Sequence, residues 1–178
     1  MAETGSAVLR TAQATDAQNL AELKLICFRE TFLEDFAVPY PPGDLARFEA
    51  QCYGVSTVAA ELADPAHATW VYEADERLLA YAHAGPCKLP HPAVTPLSGE
   101  LYQIYVRRDH QGSGYGKALL SHALDWLAVT YPGPVWLGVW SGNHRAQAIY
   151  ADIGFQQVGG YNFMVGDHCD AEFILRRD

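Results

Sequence analysis

Apolar and polar positions change period several times along the chain, and each change marks an element. Ala7–Arg10 (AVLR) reads as a short first strand. Thr15 or Asp16 can cap a helix that runs through Leu33, with Leu20, Leu23, Ile26 and Cys27 at helical spacing. Phe32 and Phe36 extend that face until Pro39, Pro41 and Pro42 end it. A second helical segment covers Asp44–Leu62, with an interruption near Gly54. Thr69–Glu73 and Leu78–His83 read as strands, and Asp75, Glu76 and Arg77 between them make a hairpin. Gly85–Ser98, with Pro86, Pro90, Pro92 and Pro96, reads as a loop long enough to be functional. A strand follows over Glu100–Val106. After a glycine-rich turn, a helix runs to Thr130 with Leu120, Ala123, Leu124 and Leu127 on one face. Tyr131-Pro132-Gly133-Pro134 stops it, and Val135–Trp140 is an apolar run suited to a strand buried on both faces. Asn143 opens a last helix carrying Ala146, Ile149, Tyr150 and Ile153, and Gly154 sits where a left-handed cap belongs. Phe155–Val158, Tyr161–Val165 and Ala171–Leu175 finish the chain as strands, with a turn at Gly166-Asp167.

The 178 residues suit one domain over 1–178, with no internal repeat or linker. Hydrophobic residues make up 49% of the chain, which argues against disorder. There is no apolar run of membrane-spanning length, and the N-terminus lacks the basic-then-apolar pattern of a signal peptide. Cys27, Cys52, Cys87 and Cys169 are scattered without a C-x-x-C pair, so reduced thiols and a cytoplasmic location are expected. None of the seven histidines stands at H-x-x-x-H or H-E-x-x-H spacing, and no metal is expected. A net charge of −9 disfavours a nucleic-acid partner. The same charge suits either a cationic substrate or plain solubility.

The chemistry concentrates in Glu100–Lys117, ELYQIYVRRDHQGSGYGK. Gly112, Gly114 and Gly116 alternate through a turn between strand and helix, and glycine both permits positive φ and removes the Cβ that would block a phosphate. The unpaired N–H groups and dipole of the new helix favour an anion. Arg107, Arg108, His110 and Lys117 make this the most basic stretch of the chain. A P-loop fits poorly, because three residues rather than four separate Gly112 from Gly116 and Ala118 follows Lys117. A dinucleotide fingerprint fits poorly as well, since the spacing is G-x-G-x-G and the next strand ends in Val139-Trp140.

Gln111-x-x-Gly114-x-Gly116 after an apolar strand resembles the acyl-coenzyme A signature of the GNAT superfamily of N-acetyltransferases. A second match lies downstream in Asn143, Ala146 and Tyr150, followed by Gly154-Phe155. The stretches LYQIYVRRDHQGSGYG, WLGVWSGNHRAQAIY and YNFMVGDHCD look most like the bacterial polyamine (spermidine/spermine) acetyltransferase branch. The resemblance implies an α/β (α+β) GNAT fold: a mixed, mostly antiparallel sheet of about seven strands, flanked by about four helices. It also implies a splayed parallel pair made by the strands of Val106 and Val139, acetyl-CoA as donor, and a primary amine as acceptor. The acceptor would be a polyamine such as spermidine or, alternatively, a protein or peptide amine. A further alternative is a non-catalytic acyl-CoA-binding module.

Carried over residue by residue, Ile104, Tyr105 and Val106 would hold the pantetheine and thioester. The backbone of Gln111, Gly112, Ser113, Gly114, Tyr115, Gly116 and Lys117 would hold the diphosphate. Asn143 would hydrogen-bond the pantetheine, cap its helix, or both. Tyr150 matches the general acid that protonates the departing thiolate; a tyrosine beside Ile149 and Ile153 also suits a core role. An alkylammonium with a pKa near ~10 needs a base. Glu100 stands at the offset from Gln111 that the base glutamate of histone-type members has, unless it is a solvated strand end. On simple alternation Glu100, Tyr102, Ile104 and Val106 share one strand face. Tyr102 replaces an acidic residue of the polyamine branch and lies where an acceptor would pass. Glu30, Glu34 and Asp35 either receive an acceptor cation or form a solvated face. No cysteine matches a nucleophile motif, so direct transfer is expected. Exposed late strands can pair across a homodimer.

Overall fold

The computed structural model describes residues 7–178, so the signal-peptide expectation falls partly on residues 1–6, outside the described residues. Seven strands form one sheet: β1 (Val8–Thr11), β2 (Ala68–Ala74), β3 (Arg77–Pro86), β4 (Gly99–Val106), β5 (Val135–Trp140), β6 (Gln156–Val165) and β7 (His168–Arg177). Their order is β1-β2-β3-β4-β5-β7-β6. Every neighbouring pair is antiparallel except β4 and β5. The helices are α1 (Ala17–Phe28), α2 (Pro42–Tyr53), α3 (Val55–Ala63), α4 (Tyr115–Thr130) and α5 (His144–Asp152). The expected Asp44–Leu62 segment is α2 and α3, broken at Gly54, whose ψ of 145° is extended.

One face of the sheet is covered by α4. Leu119, Leu120, Ala123 and Leu127 pack on Ala80, Ala82 and Ala84 of β3, Leu101 of β4, and Leu137 and Val139 of β5. The alanines let the helix come close, and each of those leucines contributes about 1.5–3 kcal/mol by leaving water. On the other face α1 and α3 bury Leu20, Leu23, Cys27 and Val58 against Val71, Leu78 and Tyr81. An aromatic cluster of Phe28, Tyr40 and Phe48 with Val165 closes one end of that face, and Leu89, Trp136 and Ile174 close the other.

Three local outcomes differ from the sequence pattern. The first helix does not stay α-helical to Leu33: Arg29–Asp35 is a π-helical turn, a form often found beside functional sites. The Asp75–Glu76 connection is a two-residue turn with both φ positive (50° and 62°), the conformation that matches strand twist in tight hairpins. Phe155–Val158 and Tyr161–Val165 are not separate strands. They belong to β6, which carries a bulge between Gln157 and Gly159 instead of a break.

Candidate active site

The site begins where β4 and β5 part. Their parallel pairing consists of Gly99 with Val135 and Glu100 with Trp136, and then stops. From Leu101 to Val106, β4 pairs only with β3, while β5 continues with β7 to Trp140. The two strands therefore enclose a V-shaped opening, with unspent main-chain groups on β4 along one side.

At its wide end lies the glycine turn. Gly112 and Gly114 have φ of 83° and 84°, and a Cβ built on either meets nothing within 4 Å, so the corner is open. Gly114 caps α4 without a side-chain bond to the helix. The first helical N–H to find a backbone acceptor is that of Ala118, on the Gly114 carbonyl; those of Gly112–Lys117 have none among the described residues. That concavity of free amides at a helix start suits an anion. The Gln111 side chain donates to the Val106 carbonyl at 3.3 Å and fixes the turn to the strand end. Tyr115 stacks on Tyr72 at 4.4 Å, so its side chain anchors α4 and its backbone faces the turn. Lys117 is exposed.

Two neighbouring basic side chains are engaged by carboxylates. Arg108 holds Glu34 and Asp35 at 2.7 Å each and donates to the Glu30 carbonyl at 3.0 Å, while its own N–H reaches the Glu30 carboxylate at 3.0 Å. One guanidinium is thus shared among the three carboxylates expected to meet an acceptor cation, offsetting part of their charge and tying the π-helical turn to the residues before the glycines. His110 pairs with Asp109 at 2.7 Å.

At the narrow end stands Glu100. It is 7% exposed, so it is not a solvated strand end. Its Oε2 accepts the Lys88 N–H at 2.7 Å. Burial pushes the carboxyl up to about 7, against the opposing pull of that N–H, of Cys87 and of the Lys88 charge. Such a group takes up a proton near neutrality.

Glu100, Tyr102, Ile104 and Val106 do not share a face. A β-bulge sets Leu101 opposite Ala84 and Gln103 opposite His83, leaving Tyr102 as the extra residue. Ile104 and Val106 consequently turn towards α4, while Tyr105 joins Tyr81 on the opposite face. Tyr102 is wedged against His67 and His83, with ring centres at 5.3 and 5.0 Å, and its hydroxyl donates to the Pro86 carbonyl. Behind it a buried chain runs from His67 to His83 (2.9 Å), towards Glu61 (3.8 Å) and on to the fully buried Lys24.

Asn143 Oδ1 accepts the Ala146 N–H at 3.1 Å, so its carbonyl end caps α5. Tyr150 is half-buried, its ring edge-on to Phe155 at 5.9 Å. Burial pushes its phenol up to about 12, and its hydroxyl has no protein partner among the described residues. At neutral pH it keeps its proton and can donate it. Tyr105, raised first by burial and next by the nearby Tyr150, also stays protonated.

Two side chains here were missed in the sequence. Glu172 on β7 accepts the Tyr161 hydroxyl at 2.6 Å, and both lie over Gly138 of β5. A Cβ at Gly138 would stand 2.8 Å from Tyr161 Oη and 2.9 Å from Glu172 Oε2. Only the unexplained glycine inside VWLGVW could have signalled a close approach.

An opening beside free strand amides, with a bare helix start at its mouth and a buried carboxyl at its base, suits an elongated anionic ligand with a proton acceptor close by. Known proteins agree with that reading. The profile of the acetyltransferase (GNAT) family matches residues 25–155. The chain belongs to this family of N-acetyltransferases, whose acetyl donor is acetyl-CoA. It is 28% identical over 149 residues to the uncharacterized N-acetyltransferase in the pepI 3′ region of Lactobacillus delbrueckii subsp. lactis, covering 84% of this chain and 86% of that one. It is 30% identical over 158 residues to N-alpha-acetyltransferase RimI of Mycobacterium tuberculosis, covering 89% and 84%. Among solved structures, PaiA N-acetyltransferase of Thermoplasma acidophilum in complex with coenzyme A superposes with a TM-score of 0.74 at 18% identity, over 97% of this chain and 99% of that one. The ribosomal-protein-S18-alanine N-acetyltransferase of Escherichia coli gives 0.66 at 20% identity, over 97% and 93%.

Proposed function

We propose that this enzyme acetylates the α-amino group of a protein or peptide N-terminus, by direct transfer from acetyl-CoA. The observation that carries the reading is Glu100, a buried carboxyl at about 7 set where β4 and β5 part. Acetyl-CoA supplies an activated acetyl thioester. The amides of Gly112–Lys117 would bind its diphosphate, and the free edge of β4 from Ile104 to Val106 would hold the pantetheine arm. The amide end of the Asn143 side chain, not spent on its cap, would add a donor to the same arm.

Glu100 would accept one proton from the incoming ammonium, directly or through water, and free the lone pair that forms the new C–N bond. Tyr150 Oη would give its proton to sulfur as the C–S bond breaks. The second proton leaving nitrogen restores the phenol, and the one on Glu100 passes to water. One hydron therefore ends on the thiol and one in solvent per turnover.

Three points favour a peptide amine over spermidine. A relative matched along most of its length is an N-alpha-acetyltransferase. The Glu30–Asp35 carboxylates that would bind a polycation are already held by Arg108. An α-amine, with a pKa near ~8, also needs less of a base than an alkylamine near ~10.

Thiol release from acetyl-CoA should be measured with spermidine, lysine and hexapeptides bearing N-terminal alanine. Peptides should release thiol fastest, and Tyr150→Phe should lower kcat about 100-fold with the acetyl-CoA KM little changed. Faster release with spermidine would move the acceptor to polyamines. Coenzyme A binding without thiol release from any amine would leave only a binding module.

A further inference from the structure

On the same face of the sheet as Glu100, one strand beyond β5, β7 carries alternating acids, and they are not equivalent. Asp170 is engaged on both oxygens: Tyr40 donates its hydroxyl at 2.5 Å, and His168 Nε2 lies 3.1 Å away. Glu172, the next residue on that face, has only the Tyr161 hydroxyl among the described residues. Neither Glu172 nor Glu100 has a cationic side chain within 4.0 Å among the described residues. Lys88 approaches from the 87–98 loop, but its ammonium sits 4.9 Å over the Tyr102 ring.

Three features aim Glu172 into the gap. It faces Trp140 across the β5–β7 ladder, yet its carboxylate leans back over Gly138, towards the narrow end where Glu100 pairs with Trp136. Gly138 has no side chain to come between this carboxylate and the edge of β5. Glu100 and Glu172 are near enough that the charge of Glu172 helps to raise Glu100, and Glu100 in turn raises Tyr161. A buried carboxyl and a half-buried one with no cation between them are costly. An ammonium seated against Glu172 would offset that cost.

We propose that Glu172, held in place by Tyr161, is the seat of the acceptor's ammonium group, which it presents to Glu100 for deprotonation. This rests on the acetyl-transfer reading and adds to it a specificity-determining residue. Glu172 contributes charge and direction, and Glu100 takes the proton. The seat admits one cation, because Asp170 is already committed to Tyr40 and His168. Its ligand class is therefore a single primary ammonium on an otherwise uncharged stem, as at a peptide N-terminus. The groups facing Glu172 are Tyr161 from β6, Asp170 from β7 and Glu100 from β4; Lys88 and Cys87 flank Glu100 from the loop.

The test uses the fastest acceptor from the pool above, plus an N-terminally trimethylated version of the same peptide. That analogue carries the cation but has no proton to lose, and it should inhibit the wild type competitively. Glu172→Gln should raise the acceptor KM and the inhibitor Ki together, about 10- to 100-fold, as expected for loss of a charge-assisted contact. Its kcat should stay within about 3-fold of wild type, with the acetyl-CoA KM unchanged as the control for folding. Tyr161→Phe keeps the charge but frees the carboxylate, and should raise both constants by a smaller factor. An active wild type whose acceptor KM and Ki are untouched by either substitution would overturn the seat while leaving acetyl transfer intact. A wild type that releases no thiol from any amine would overturn the transfer reading itself.

Discussion

On the proposed donor side of the opening, from Leu101 to Lys117, the groups that face inward are main-chain amides. On the proposed acceptor side they are carboxylates and phenols drawn from β4, β6 and β7: Glu100, Tyr161 and Glu172. The first side is one continuous stretch of sequence, while the second is assembled from residues that meet only through sheet order. Donor binding should therefore tolerate most side-chain changes and fail when the backbone is disturbed, and acceptor chemistry should do the reverse.

The strongest way to break this contrast is Glu100→Gln. It should lower kcat by about 10²- to 10⁴-fold while coenzyme A affinity by calorimetry stays the same. The wild-type rate should rise with pH through about 7, where the carboxyl ionises. Equal loss of coenzyme A binding would mean that the two sides are not separable. Gly114→Val is the converse. It places a β-branched residue at φ 84°, where only glycine is comfortable, and should raise the acetyl-CoA KM about 10-fold with the acceptor KM little changed.

A quieter consequence is in stability. The folded pKa of Glu100, about 7, lies above its ordinary 4.5, so the folded chain binds that proton more tightly. The contribution is full below about 4.5 and is lost as pH rises through 7. The stability of the wild type relative to Glu100→Gln should thus fall by up to about 3 kcal/mol between pH 5 and pH 8, in urea melts at each pH. A difference that stays flat with pH would mean that Glu100 is not shifted. The smallest effect is expected from Arg108→Ala. It releases Glu30, Glu34 and Asp35 beside the π-helical turn, and should raise spermidine turnover relative to peptide turnover by a few-fold.

The same contrast explains what could be read in advance. The glycine turn, the strand before it and the Asn143–Tyr150 helix are local patterns, and the helix and strands appear within a residue or two of where the periodicity puts them. The positions of Glu100 and Tyr150 followed from family resemblance; their burial did not. The Tyr102 bulge was hidden, because an extra residue in β4 leaves no mark in an apolar run yet turns Ile104 and Val106 away from Glu100. Glu30 and Glu34 looked free because Arg108, their partner, lies more than seventy residues on. Glu172 and Tyr161 looked like ordinary alternating strand residues. Only the pairing of β7 with β5 turns them onto Gly138.

Amide NMR reports directly on the backbone at the wide end of the opening. With ¹⁵N-labelled protein and coenzyme A titrated to saturation, the largest shifts are expected at the N–H groups of Gly112–Lys117, with a second set along Ile104–Val106. Saturable binding that leaves those amides unmoved, and shifts others instead, would contradict it.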